Sequence, residues 1–113
     1  MFTLYGIKNC DTVKKARRWL EDNNVEFAFH DFRAEGLSQD QVQAWLDELG
    51  HAVLVNKRST TWKQLDDAQK DQALGDDAAA LLVEHPTLIK RPVLDTGKQR
   101  QVGFSAANYQ ALL

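Results

Sequence analysis

The 113-residue sequence is poor in the residues that build disulfides, metal centres and membrane spans. Cys10 is its only cysteine, which excludes an intramolecular disulfide and any zinc site with two or more thiolate ligands. The three histidines, His30, His51 and His85, have no metal-ligand spacing to one another. No apolar run approaches about 18 residues, and no charged-then-apolar leader is visible. We therefore expect a cytoplasmic protein that holds no metal and contacts no membrane.

The chain also lacks an excess of basic charge. It has 14 Lys and Arg residues and 16 Asp and Glu residues, so the net charge is −2 and the pI is about 5.9. This balance gives no general basis for direct binding to nucleic acid. The sequence contains no P-loop, no dinucleotide-binding fingerprint and no hydrolase triad motif. Its length and its 43% hydrophobic residues suit a single domain over 1–113, which we expect to be a monomer.

The single cysteine lies between a predicted strand and a predicted helix. Residues 2–5 are apolar and β-prone, residues 6–9 are turn-like, and the apolar spacing after Cys10 predicts a helix over about 11–22. A thiolate at a helix N-terminus meets unpaired backbone N–H groups and the positive end of the helix dipole, which lower its pKa. The alternative is an inert buried cysteine. The strand–loop–Cys–helix order favours a reactive thiol.

The middle of the chain changes from a strand pattern to helical patterns. Residues 25–30 alternate apolar and polar, which predicts a strand parallel to the first one in a βαβ unit. Ser38, followed by Gln41 in a capping-box pattern, begins a helix that we expect to end at Gly50. Two further short helices are predicted over 65–73 and 78–84. The segment from about 38 to 85 is therefore predicted to be helical.

The last part of the chain returns to strands. Residues 88–94 are typical of a strand interrupted by Pro92, and residues 95–98 are typical of a turn. Residues 101–104 predict a returning strand, and residues 105–113 predict a terminal helix. The order βαβ, helical block, ββα indicates an α/β protein.

Three segments make the order recognisable: residues 5–16, YGIKNCDTVKKA; residues 90–94, KRPVL; and residues 102–105, VGFS. The chain resembles a thioredoxin-like fold with a helical insertion between its second and third strands. More closely, it resembles the arsenate reductase (ArsC)/Spx family, in its YffB-like branch. The resemblance implies that Cys10 is the thiol that meets substrate or glutathione. It also implies that Arg91 binds an anion beside this thiol, that the Arg91–Pro92 peptide is cis, and that Arg58 is a further substrate arginine.

The resemblance also implies a redox-active cysteine that forms a mixed disulfide with glutathione as co-substrate, without a bound cofactor. Cations near Cys10 would favour its thiolate, and the candidates are Lys8, Lys14 and Arg91. Cationic side chains would bind the glutathione carboxylates, and the backbone before Pro92 would offer a strand edge to its peptide. The residues predicted to contact substrate or glutathione are Arg91, Pro92, Arg58, Lys8, Asn9 and Thr12.

Two departures from the family pattern leave three functions open. Gly103 stands at the position where arsenate reductases have a third arginine. Val13 stands at the position of the second cysteine in the Cys-x-x-Cys switch of Spx regulators. The first hypothesis is a glutathione-dependent thiol oxidoreductase that acts on a small thiol or disulfide substrate. The second is an arsenate reductase proper, with glutathione and a glutaredoxin as partners. The third is a non-catalytic, Spx-like transcriptional regulator that binds RNA polymerase.

Overall fold

A computed structural model of the chain describes residues 2–113, which divide into two compact units. The sheet unit contains the chain up to Glu35 together with Arg91–Leu113. The helical unit is Gly36–Lys90 and corresponds to the insertion predicted over about 38–85. The assignment of residues 1–113 to a single domain stays a prediction. None of the helices in the described part of the chain is long and apolar enough to cross a lipid bilayer.

The sheet unit has four strands in the order β2-β1-β3-β4. Its elements are β1 (Phe2–Gly6), α1 (Asp11–Asp22), β2 (Phe27–Asp31), α2 (Phe32–Glu35), β3 (Val93–Asp95), β4 (Arg100–Val102) and α8 (Ala106–Ala111). β1 and β2 are parallel, whereas β3 is antiparallel to both β1 and β4. The predicted βαβ unit and the predicted C-terminal hairpin are both confirmed. The fold is a thioredoxin-like α/β fold, βαβ…ββα, with helices inserted between its second and third strands.

Apolar residues from the central strands and two helices build the core of the sheet unit. Its fully buried members are Leu4, Val13, Ala16, Leu20, Leu94 and Tyr109. Gly6 ends β1 directly beneath α1, where a Cβ atom at this position would lie 2.7 Å from Cγ2 of Val13. A residue with a Cβ at this position would therefore require Val13 or the end of the strand to shift.

The helical unit contains five helices and a short 3-10 turn. They are α3 (Gln39–Leu49), α4 (His51–Leu54), α5 (Thr60–Gln64), α6 (Asp67–Ala73), α7 (Ala78–Glu84) and the turn Pro86–Leu88. α3 packs against α7, and Trp45 is fully buried. The Ser38 hydroxyl accepts a hydrogen bond from the Gln41 N–H at 3.1 Å, and Gly50 ends α3 with a φ of 83°, as the sequence predicts.

The boundaries differ from the prediction where the chain leaves the helical unit. Residues 88–94 do not form one strand, because Leu88 closes the 3-10 turn and β3 begins only at Val93. Ile89 instead forms an isolated antiparallel bridge with Val55 inside the helical unit. The prediction was wrong here because the apolar character of Leu88 and Ile89, both fully buried, reflects burial rather than membership of the sheet.

Candidate active site at Cys10

The end of β1 and the start of α1 fix the position of Cys10. After Gly6 the chain turns, the Cys10 N–H donates to the Ile7 carbonyl at 3.1 Å, and the Cys10 carbonyl accepts from the Lys14 N–H at 3.0 Å. Cys10 is the N-cap residue of α1, with extended backbone angles, φ −90° and ψ 125°. Its thiol is free and partly exposed. The predicted placement of the cysteine at a helix N-terminus is confirmed.

The surroundings of the thiol lower its pKa. Partial burial is the largest single influence, and by itself it raises the pKa of Cys10. The Val13 N–H, a hydrogen bond and the charge of Arg91, and the Thr12 N–H all favour the thiolate and together outweigh burial. The two N–H groups act from the first turn of α1, although neither makes a regular side-chain capping bond. The pKa of Cys10 is therefore below the usual range of a thiol, as a nucleophilic cysteine requires.

Arg91 reaches the thiol because β3 lies beside β1. Tyr5 pairs with Val93, so the residues just before β3 meet the loop that follows β1. The Arg91–Pro92 peptide is cis, as the resemblance implies, and Pro92 is buried. The Pro92 carbonyl accepts from the Gly103 N–H at 2.9 Å, which ties this segment to the chain after β4.

The remaining predicted residues of the sheet unit have different positions around the thiol. Thr12 is partly buried and acts on the sulfur through its backbone N–H. Lys8 and Asn9 are exposed on the loop that leads into Cys10. The structure thus brings Cys10, Thr12 and Arg91 together, with Lys8 and Asn9 at the edge of this group. Their contacts with substrate or glutathione stay predictions.

Arg58 belongs to the helical unit. It is exposed, and its N–H donates to Oδ1 of Asn56 at 3.1 Å in the turn before α5. Its side chain lines a cavity of about 420 Å³ together with Lys57 and Lys90. This cavity is cationic, which suits an anion. A role for Arg58 at Cys10 stays a prediction.

Asp31 was missed by the sequence analysis, yet it holds the loop before the cysteine. Its carboxylate accepts from the Lys8 N–H at 3.1 Å and from the N–H groups of Arg33 and Ala34 at 2.7 and 3.2 Å. Desolvation raises the pKa of Asp31, but these three N–H groups and the charge of Arg33 outweigh it, so this pKa is lowered. The sequence does carry one signal for Asp31, because an aspartate directly before a helix is a common N-cap residue.

No group of three or more His, Cys, Asp or Glu side chains within residues 2–113 is arranged to hold a metal ion. The groups that the candidate site brings together are the Cys10 thiolate, the guanidinium of Arg91 and the N–H groups at the start of α1. This set can stabilise a nucleophilic sulfur and bind an anion beside it.

Comparison with known proteins identifies the family. A profile of the ArsC family matches residues 5–112. The chain belongs to the ArsC family. An uncharacterized protein of Haemophilus influenzae is 48% identical over 111 residues, which cover 98% of this chain and 97% of that protein. The solved structure of a YFFB protein superposes on this chain with a TM-score of 0.89 and has 42% sequence identity to it. The match covers 98% of this chain and 97% of the YFFB chain.

The global transcriptional regulator Spx of Bacillus subtilis is 33% identical over 107 residues, which cover 93% of this chain and 81% of that protein. These matches confirm the resemblance to the ArsC/Spx family and its YffB-like branch. The ArsC-family chain is accordingly arsenate reductase-like or Spx-like, and the choice between these two depends on the chemistry of Cys10.

Proposed function

We propose that the protein is a glutathione-dependent thiol oxidoreductase that acts through Cys10. The observation that carries this proposal is the thiol at the start of α1, with a lowered pKa and with Arg91 bonded to its sulfur. Thiol–disulfide exchange needs a thiolate that is accessible, and Cys10 is partly exposed. As the only cysteine, it cannot be resolved within its own chain, so an external thiol must complete the cycle.

The reaction has two exchange steps. The Cys10 thiolate attacks the glutathionyl sulfur of a mixed disulfide between glutathione and a substrate thiol. The Cys10–glutathione S–S bond forms, the original S–S bond breaks, and the substrate thiolate leaves and takes up a proton from water. A second glutathione thiolate then attacks the Cys10–glutathione bond. Glutathione disulfide leaves, Cys10 returns as a thiolate, and the mixed disulfide has been reduced by one added glutathione, since the other half of the glutathione disulfide comes from the substrate.

Cations near the thiol are suited to hold glutathione, which carries two carboxylates. Arg91 is the candidate for a charge-assisted bond to one of them, and the Lys8 ammonium is exposed on the preceding loop. The backbone before Pro92 is the candidate partner for the glutathione peptide, since an extended peptide can pair with backbone groups at a sheet edge. Asn9 and Thr12 are candidates for orienting the tripeptide.

The test is exchange with a mixed disulfide of glutathione and a small thiol, followed by the intact mass of the protein. The wild type is expected to gain one glutathionyl group and to turn over when glutathione is added. Cys10→Ser should do neither, and Arg91→Ala should react more slowly. Lys63→Ala, which removes an exposed cation of the helical unit, is the matched control. Full turnover by Cys10→Ser would disprove the proposal.

Arsenate reduction proper is the second candidate, since Cys10 and Arg91 could serve an oxyanion equally well. The structure gives one reason to rank it lower. Gly103, at the position of the third arginine, has a φ of 80°, which strains any residue with a Cβ. Arsenate turnover with glutathione and glutaredoxin, at a rate comparable to disulfide exchange, would reverse this ranking.

An Spx-like regulator is the third candidate, favoured by the identity to Spx along most of the chain. Val13 stands in place of the second switch cysteine and Cys10 is the only cysteine, so regulation by an internal disulfide is excluded, whereas binding to RNA polymerase is not. Recovery of polymerase subunits with the purified chain, undiminished in Cys10→Ser, would favour this function over exchange chemistry.

A further inference from the structure

A run of cations extends from the thiol along α1. Four of the 14 Lys and Arg residues of the chain lie within five positions of α1. We call these four residues the basic track: Lys14, Lys15, Arg17 and Arg18. Lys14 lies one helical turn after Cys10, and Arg17 and Arg18 lie two turns after it, so they share a face with the cysteine. Two shallow grooves of about 330 and 220 Å³ lie among these side chains.

The stability of α1 explains only part of the basic track. Asp11 lies four residues before Lys15 and Asp22 four residues after Arg18, spacings that stabilise a helix. However, Lys14 and Arg18 are like charges at i and i+4, which is unfavourable, and the last turn, where cations stabilise a helix, has no basic residue. Lys14, Lys15 and Arg18 are exposed, and among residues 2–113 none of them has an acidic partner within salt-bridge distance.

One member of the basic track is held in place. The guanidinium of Arg17 lies over the ring of Phe29, 4.5 Å from its centroid. The position of this cation is therefore fixed by the sheet, about two turns of helix from the thiol. One fixed cation, with three exposed cations beside it, suits a ligand that presents several anions.

Glutathione alone has too few anions to use the whole track. It carries two carboxylates, whereas the track has four cations. Arg18 is eight residues from Cys10, so the track extends about 12 Å along the helix axis. A ligand that offers each of these cations its own anion while a disulfide is bound at Cys10 must carry more carboxylates, which a longer chain can supply.

The charges at both ends of the track indicate what kind of chain this is. Asp11 lines the first groove and Glu21 lines the second, so the track is bounded by acidic residues. A continuous polyanion such as nucleic acid would be repelled at both ends, and the net charge of −2 opposes it further. A protein segment with a few carboxylates fits the bounded track.

We propose that the basic track docks an acidic segment of a protein whose cysteine is joined to glutathione, so that this disulfide is presented to Cys10. The inference rests on the proposed function and names its substrate class: glutathionylated proteins with acidic residues near the modified cysteine. In the exchange, Cys10 takes the glutathionyl group and the docked protein leaves with a free thiol.

The test compares two peptides, each with one glutathionylated cysteine flanked on one side by either glutamates or glutamines. The wild type is expected to react on the order of tenfold faster with the acidic peptide at low salt, and added salt should reduce the preference. Lys15→Glu/Arg18→Glu should abolish it while leaving the rate with the glutamine peptide unchanged. Lys63→Glu/Lys98→Glu changes exposed lysines elsewhere by the same charge and should keep the preference.

Equal rates for both peptides, or a preference that survives Lys15→Glu/Arg18→Glu, would overturn the inference even if exchange occurs. Glutathione disulfide, which has no acidic protein segment, reports on the proposed function separately. If even this reagent leaves Cys10 unmodified, the proposed function fails, and docking is then judged by binding of the acidic peptide to Cys10→Ser. Amide shifts confined to α1 would support docking; no shifts, or tighter binding of an oligonucleotide, would refute it.

Discussion

Arg91 is the residue whose side chain acts on the Cys10 sulfur through both a hydrogen bond and its charge. We expect Arg91→Gln to raise the pKa of Cys10, since the thiolate loses a charge-assisted partner while the N–H groups of Val13 and Thr12 remain. At neutral pH, alkylation of the thiol should become several-fold slower. The measurement is the alkylation rate as a function of pH.

Two variants control this measurement. Lys63→Gln removes an exposed cation of the helical unit and should leave the alkylation profile unchanged. Arg91→Lys keeps the charge but loses the planar donor fork, so its profile should lie between those of the wild type and Arg91→Gln. A profile for Arg91→Gln that coincides with the wild type would show that the helix N-terminus alone sets the reactivity of Cys10.

The lowered pKa of Cys10 also links stability to pH. The thiol loses its proton more readily in the folded protein than in the unfolded chain, where its pKa is about 8.5. The stabilisation from ionisation is fully present above the unfolded pKa and is lost as the pH falls through the folded pKa. The free energy of unfolding of the wild type, measured with urea, should therefore increase relative to that of Cys10→Ser as the pH rises through this window. A difference independent of pH would contradict the assignment.

At the level of single residues, the sequence predicted the side chains of the site better than its backbone groups. Cys10 could be placed because a strand, a turn and a helix surround it, and Arg91 through the family resemblance. The N–H groups of Val13 and Thr12 follow from the helix start, but which of them reaches the sulfur depends on geometry. The contacts of Asp31 with Lys8, Arg33 and Ala34 depend on the end of β2 meeting the loop before Cys10, a proximity that residue types do not encode.

At the level of elements, the close approach of β1 and α1 holds the cysteine in position, and Gly6 permits it. We expect Gly6→Ala to lower the free energy of unfolding by about 1–3 kcal/mol, because its Cβ would lie 2.7 Å from Cγ2 of Val13. Val13→Ala removes that methyl group and should relieve the clash, although it leaves a cavity of its own in the core.

Denaturant unfolding of both single variants and the double variant tests this contact. The double variant should lose less free energy than the sum of the two single losses, as expected for residues in direct contact. Additive losses would mean that the strand end shifts to accept the extra methyl group without pressing on Val13.

Elements with a clear period were predicted and elements without one were not. α1 has the predicted bounds, Asp11–Asp22, because three apolar residues recur on one face over about two turns. α2, α4 and α5 have only four or five residues, too few for a period to be visible. The strand predicted to begin at Leu88 begins at Val93, since an apolar residue is compatible with either a sheet or a helical core.

At the level of the whole molecule, one cysteine in 113 residues determines what oxidation can produce. Each chain can carry one glutathionyl group or can join one other chain through a single disulfide, so copies of this chain can form no disulfide-linked species larger than a dimer. The family likeness to a regulator and to arsenate reductase-like proteins does not alter this limit, because it follows from composition alone.

The same limit predicts how the glutathione adduct of Cys10 behaves. Once free glutathione is removed, we expect the adduct to persist, since no second thiol in the chain can attack it. Adding glutathione should release Cys10 at a rate proportional to the glutathione concentration. The intact mass, followed over time at several protein concentrations, gives the rate at which the adduct is lost without added thiol and the rate at which glutathione releases it. Loss of the adduct without added thiol, faster at higher protein concentration and accompanied by a disulfide-linked dimer, would show instead that a second chain supplies the resolving thiol.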